Sequence, residues 1–237
     1  MSQYEILNKE DHQQLRIKTG YGAEFGDAVM HVMTFPMEFR DIQSCYPILF
    51  AKDSNTGGFF AAALMGFEAN QNLFLRDNRW DAAYIPALVQ RQPFLIATGP
   101  EGDNASPVVS LDLDHPRVSQ DAGESLFAVD GEPSEFLSLK IALLEKLHHG
   151  LQHGTGFIDT LLRHQLLEQF TLDLTFNDGN KKSVQGFYCI AEGLLYQLKG
   201  DVLESLNEAG YLQPVFMAVA SLSRLRDLIE RRNRLRA

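Results

Sequence analysis

Residues 47–67 read PILFAKDSNTGGFFAAALMGF. Two apolar runs stand either side of DSNTGG (53–58), a cluster of turn formers. A connection this short joins antiparallel neighbours, because a parallel pair needs a crossover of about a dozen residues or more. A third run, NLFLRD (72–77), follows the polar EANQN and reads as another strand.

Working outward towards the N-terminus, LRIKT (15–19) and AVMHVMTF (28–35) have strand-like alternation, and Asn8–His12 reads as a turn or one helical turn. Pro36 suits the first turn of a helix over MEFRDIQSCY, with Phe39, Ile42 and Tyr46 on one face. Pro47 ends that helix near Tyr46. Downstream, Trp80–Gln92 is expected to hold a short helix around Pro86, and PFLIATG (93–99) and VVSLDLD (108–114) read as strands around GPEGDNASP. Residues 114–133 are polar and irregular. A helix begins at Ser134, and Gly150, Gly154 and Gly156 weaken it, each costing roughly 1 kcal/mol relative to Ala. A second helix is therefore expected from Thr155 to Leu167. FTLDLTF-NDGNKKS-VQGFYCIA (170–191) is the clearest hairpin, followed by a helix over Glu192–Ala209 and a final one from Val215 onward.

The elements together predict an α+β fold. A mostly antiparallel sheet from the N-terminal half, plus the C-terminal hairpin, packs against several C-terminal helices. The expectation is one domain over 1–237, with a strand-rich part (1–133) and a helix-rich part (134–237).

Composition narrows the function. Apolar residues make up 45% of the 237 and charged residues 22%, the range of globular proteins. The longest apolar run, Phe59–Phe67, is too short to span a bilayer and reads as a buried strand. The N-terminus shows no basic-then-apolar export signal, so a cytoplasmic location is expected. Cys45 and Cys189 lie in apolar surroundings, as small core residues rather than a disulfide pair. The formal net charge of −10 disfavours nucleic acid. From Arg224 to Ala237 six arginines face Asp227 and Glu230, a local 6 − 2 = +4. Its leucine-striped helix reads as a packed terminal helix with a basic tail rather than a membrane anchor.

Chemical signals are sparse. Glu145, His149 and His153 share one helix face and could offer a metal three ligands, but a solvated polar face is the expectation. Asp112, Asp114 and His115 end a strand, and turn capping explains them more simply than acid–base chemistry. There is no G-x-S-x-G elbow and no glycine-rich phosphate cradle. No cofactor is expected. The better candidate is the aromatic and arginine-rich stretch from Phe35 to Phe94. Trp80, Tyr84, Arg79, Arg91, Glu38 and Tyr46 are expected to wall a ligand-binding cleft, where arginine holds a carboxylate and rings hold apolar groups. The alternative is that the rings seal the sheet and the arginines pair with Glu38, Glu68, Asp77 or Asp81.

E-F-x6-Y-P-I-L-F (Glu38 to Phe50), N-L-F (72–74), R-W (79–80), Y-I-P-A (84–87), P-F (93–94), G-E-S-L-F (123–127) and D-G-E-P-S (130–134) form a set. With the G-F-Y hairpin strand and the closing L-x-x-L helix, the set resembles the bacterial SapC family over roughly residues 4–230. The resemblance implies a surface-layer association, from which the family takes its name. It also implies genes near TonB-dependent receptors and flavoproteins resembling tryptophan halogenases, but no catalytic residues. The leading expectation is a non-catalytic accessory or binding protein for a peptide, an amino-acid-like ligand or a protein partner such as that flavoprotein. A homodimer is compatible with this reading. The alternatives are an enzyme modifying peptides or aromatic amino acids through Asp112, Asp114 and His115, and a surface-layer or envelope component.

Overall fold

The computed structural model describes residues 3–98 and 107–235, so most of the loop read at 99–107 and the last two residues lie outside the described residues. In chain order the elements are β1 (Tyr4–Ile6), α1 (Lys9–His12), β2 (Arg16–Ile17), β3 (His31–Thr34), a 3-10 turn (Pro36–Glu38), α2 (Phe39–Ile42), β4 (Ile48–Lys52) and β5 (Phe59–Leu64). Then come β6 (Leu75–Arg76), β7 (Arg79–Trp80), α3 (Ala87–Gln90), β8 (Phe94–Thr98), β9 (Pro107–Asp112), β10 (Val118–Ser119) and β11 (Glu124–Ser125). The second half holds α4 (Glu135–Arg163), β12 (Leu167–Thr175), β13 (Lys181–Ile190), α5 (Glu192–Leu195), α6 (Gly200–Glu208), α7 (Leu212–Ser221) and α8 (Arg224–Arg234).

The fold is α+β, and the pairings among these strands are antiparallel. The main sheet has the order β12-β13-β4-β5-β3, so the C-terminal hairpin extends a sheet begun at β3, near the N-terminus. The β4–β5 register runs from Ile48↔Ala63 to Lys52↔Phe59. It is set by the turn between them, where Asp53 Oδ1 accepts hydrogen bonds from the N–H groups of Asn55 and Thr56 at 2.9 and 2.8 Å. Two three-stranded sheets, β1-β9-β8 and β10-β2-β11, are separate from it.

Several boundaries differ from those the sequence predicts. The two helices expected over 134–167 are one helix, α4, of 29 residues. Its glycines are tolerated because neighbours lie where their Cβ atoms would be. A Cβ at Gly150 would stand 2.5 Å from Met37 Sδ, at Gly154 3.3 Å from Phe35 Cδ1, and at Gly156 2.5 Å from the Tyr211 hydroxyl. Close approach of these neighbours outweighs the helix penalty. The helix stops at Arg163 rather than Leu167 because Gln165 takes φ +54, and Leu166 N–H reaches back to Leu161 O at 2.8 Å. Leu167 instead opens β12.

NLFLRD is mostly not a strand. Only Leu75–Arg76 pairs, with Arg79–Trp80, across Asp77 and Asn78 at φ 50 and 57, a two-residue hairpin turn. The expected helix in 80–92 shrinks to α3. The helix over 192–209 divides into α5 and α6, because Lys199 is extended (φ −83, ψ 166). The final helix begins earlier, at Leu212, and breaks between α7 and α8. There Leu222, Ser223 and Leu225 make tight i→i−3 bonds to Val219, Ala220 and Leu222, and the chain turns to cover the β12–β13 hairpin.

α4 is the spine of the packing. Phe157, Ile158 and Leu161 enter the main core with Phe39, Phe50 and Leu49. Leu137 and Leu144 join Ile17, Phe94, Leu111 and Leu126 in a second core, and Leu147 meets Phe35 and Ala87 in a third. Cys45 and Cys189 are half-buried and free, and burial pushes the Cys189 thiol up to about 11. No helix among the described residues is long and apolar enough to cross a membrane.

Candidate functional site

The segment Phe35–Asp41 crosses α4 at Gly150 and Gly154, and three concavities open around it. Its central residue is Glu38, only 5% exposed. Glu38 Oε1 accepts from Thr34 Oγ1 at 2.7 Å, and Oε2 accepts from the Tyr84 hydroxyl at 2.9 Å and the Ala87 N–H at 3.0 Å. Burial raises the Glu38 pKa, and these donors pull it back. Burial, then the neighbouring Glu38 charge, hold the Tyr84 hydroxyl well above its ordinary range. Further along the same segment, the fully buried Tyr46 donates to Tyr84 O and accepts from Trp80 Nε1 at 2.7 Å. Its ring lies edge-on to Phe74, centroids 4.6 Å apart, and Tyr21 packs on Trp80 at 5.6 Å.

Glu38, Tyr46, Trp80 and Tyr84 therefore meet in one network, which pins residues 80–87 onto α2. The two arginines expected with them lie elsewhere. Arg79 is exposed on the β6–β7 hairpin, and Arg91 turns to donate to Phe94 O at 2.7 Å. The arginine that does reach this region is Arg231 of α8. It sits 4.4 Å over the Phe74 ring and holds Asp81 Oδ2 at 2.6 Å. Of the acidic partners considered, Asp81 pairs with Arg231, and Asp77 lies 3.9 Å from Arg76 at the surface. Glu38 is held by hydroxyls and an amide instead.

The recess beside Glu38 and Tyr84, also lined by Phe35, Asp41 and Lys146, encloses about 60 Å³. That holds a few waters, whereas ligand sites span roughly 300–1,000 Å³. The larger opening lies on the other side of Phe35. A groove of about 300 Å³ runs between the start of β5, the end of β3 and α4. Phe35, Phe59, Phe60, Phe157, Ile158 and Leu162 supply its apolar walls, and Asp159 is the one acidic or basic residue lining it. Lys52 Nζ lies 5.0 Å over the Phe59 ring, which thus already receives a cation. Sequence reading assigned Phe59 and Phe60 to a buried strand. Both are half-buried at the margin of the main core, and an apolar run such as 59–67 carries no signal of which of its residues stay partly open.

Asp112, Asp114 and His115 form a turn in which each has a local partner. Asp112 Oδ1 accepts from Asp114 N at 3.2 Å, Asp114 Oδ2 from Gln3 N at 3.0 Å, and His115 Nδ1 from Arg117 N at 3.1 Å. Burial lowers the His115 pKa. His149 and His153 face Arg40 across a third recess that Glu145 does not line. Among the described residues no group of three His, Cys, Asp or Glu side chains is placed to hold a metal ion. The C-terminal arginines are largely engaged: Arg224 with Asp227, Arg234 with Glu230, and the buried Arg232 with Asp178.

An antiparallel α+β protein with an aromatic hydrogen-bonded network beside an apolar groove is the class these features define. The SapC family model matches residues 7–228, and the chain belongs to that family. No curated protein and no solved structure matches it.

Proposed function

We propose that the chain is a non-catalytic accessory or binding protein that seats an apolar side chain of a peptide or amino-acid-like ligand in the groove between β5 and α4. The observation that carries this is the lining: four phenylalanines with a single carboxylate, Asp159, in about 300 Å³. Such a lining favours an aromatic or branched side chain next to an ammonium group, because rings and carboxylate both attract a cation. The Glu38–Tyr84 and Tyr46–Trp80 bonds support this role by holding Phe35, one groove wall, against α4. In this reading the phenylalanines of the groove, not Arg79 or Arg91, form the binding surface. A cytoplasmic location belongs to the same reading, and recovery of the chain on the cell surface by fractionation would contradict it.

Calorimetric titration with phenylalaninamide, a cationic probe without a carboxylate, tests the proposal. Saturable binding to the wild-type protein is expected, with loss in Leu162→Trp, which places a larger side chain over the groove from an exposed position on α4. N-acetylphenylalaninamide, lacking the charge, is expected to bind more weakly. Absence of binding, or binding unchanged in a folded Leu162→Trp variant, would overturn it.

A further inference from the structure

The third recess, between α2, α4 and the start of α7, encloses about 370 Å³. Arg40 lines it from α2, and His149 and His153, one helical turn apart on α4, line it from the other side, all three exposed to solvent. Neither an ion pair nor a hydrogen bond engages the Arg40 side chain among the described residues. His153 packs edge-on against Tyr211 at 4.9 Å and His149 against His148 at 6.0 Å, so both rings are placed by aromatic contacts, not by carboxylates. Pro36, Met37, Pro214 and Met217 supply apolar surface, and no Asp or Glu lines the recess. On a chain of formal net charge −10, a concavity walled by Arg and two His and free of carboxylates is a local reversal of sign. The first turn of α7, whose N-cap Tyr211 makes no side-chain cap, borders the same space and adds partial positive charge.

We propose that this recess captures a carboxylate carried next to an apolar side chain and without a neighbouring ammonium, as at the C-terminus of a peptide. The planar fork of Arg40 matches a carboxylate bidentately, and the histidines add ring N–H donors. Methionine and proline surfaces fit the last side chain, with methionine adapting to its shape. A free amino acid fits less well, since its ammonium would meet Arg40 with no acid to balance it. The proposal is independent of the phenylalanine groove and stands or falls separately.

The test is calorimetric titration with acetyl-Gly-Gly-Phe as free acid and as C-terminal amide, using Leu162→Trp as well as wild-type protein so that the groove plays no part. The acid is expected to bind in both proteins. Amidation, Arg40→Gln and the pair His149→Gln/His153→Gln are each expected to weaken it about ten-fold or more, the scale of a lost charge-assisted bond. Arg40→Lys should restore part of the loss. N-acetylphenylalanine binding as tightly as the peptide would support the carboxylate site and assign it to a small acylated amino acid. Equal affinity for acid and amide, no effect of Arg40→Gln in a folded variant, or full displacement by equimolar inorganic phosphate would overturn the proposal.

Discussion

Glu38 is a buried carboxylate among neutral donors, and its titration has a definite sign. Burial raises its pKa, so any stability it contributes is complete below the ordinary value of about 4.3 and is lost as pH rises through the raised folded value. Glu38→Gln removes that dependence. The stability of Glu38→Gln relative to wild type should therefore increase with pH through this window in urea unfolding, and a constant difference would show that Glu38 is not perturbed. Gly156→Ala is expected to destabilise by about 1 kcal/mol, with overpacking against Tyr211 exceeding the gain in helix propensity. Tyr211 cannot easily retreat, because its ring is edged by both His153 and Phe157. A more stable Gly156→Ala protein would contradict this packing. At this scale the sequence was informative about rings and poor about charges. Tyr46, Trp80 and Tyr84 sit in a run dense enough in aromatics to imply mutual contact. Which arginine meets which acid is decided by folding: Asp81 takes Arg231, 150 residues away, while Arg79 beside it points to solvent.

At the scale of elements, α4 and the loop beside β2 each rest on one identifiable polar contact. Ser134 Oγ caps α4 by accepting from Leu137 N at 3.1 Å and donates to Ser125 O at 2.6 Å. Ser134→Ala should cost about 1 kcal/mol in chemical denaturation, and an unchanged midpoint would deny the cap its role. Asp27 and Arg117, 1% and 3% exposed, form an ion pair in which Arg117 Nη2 donates to both carboxylate oxygens, at 2.7 and 2.9 Å, tying the loop before β3 to the residue preceding β10. Arg117 is also sandwiched by Tyr21 and Phe25, at 5.2 and 4.7 Å. Arg117→Met leaves Asp27 buried without its cation and is expected to cost roughly 3–5 kcal/mol. Asp27→Asn together with Arg117→Met should cost less than the two single losses added, and strict additivity would argue against the pair. Strands joined by short turn segments were legible, as at 53–58 and 177–180. The helix boundaries were not, because Gly150, Gly154 and Gly156 read as breakers until Phe35, Met37 and Tyr211 are seen to occupy the space they leave. The α7–α8 break has no proline or glycine to announce it.

Over the whole molecule, one long helix links three apolar cores, and the segment it supports, Phe35–Asp41, borders every concavity discussed. The α+β class could be read from the order of the elements, and the antiparallel pairing from the short turns between strands. The groove could not, because it joins residues about 100 positions apart, Phe59 and Phe60 on β5 with Phe157 and Ile158 on α4. The most direct test of the account is amide NMR of isotope-labelled protein titrated with phenylalaninamide. The account predicts saturable shifts concentrated at Gly58, Phe59, Phe60 and Asp159. Shifts that are absent, or that cluster away from the face between β5 and α4, would contradict it.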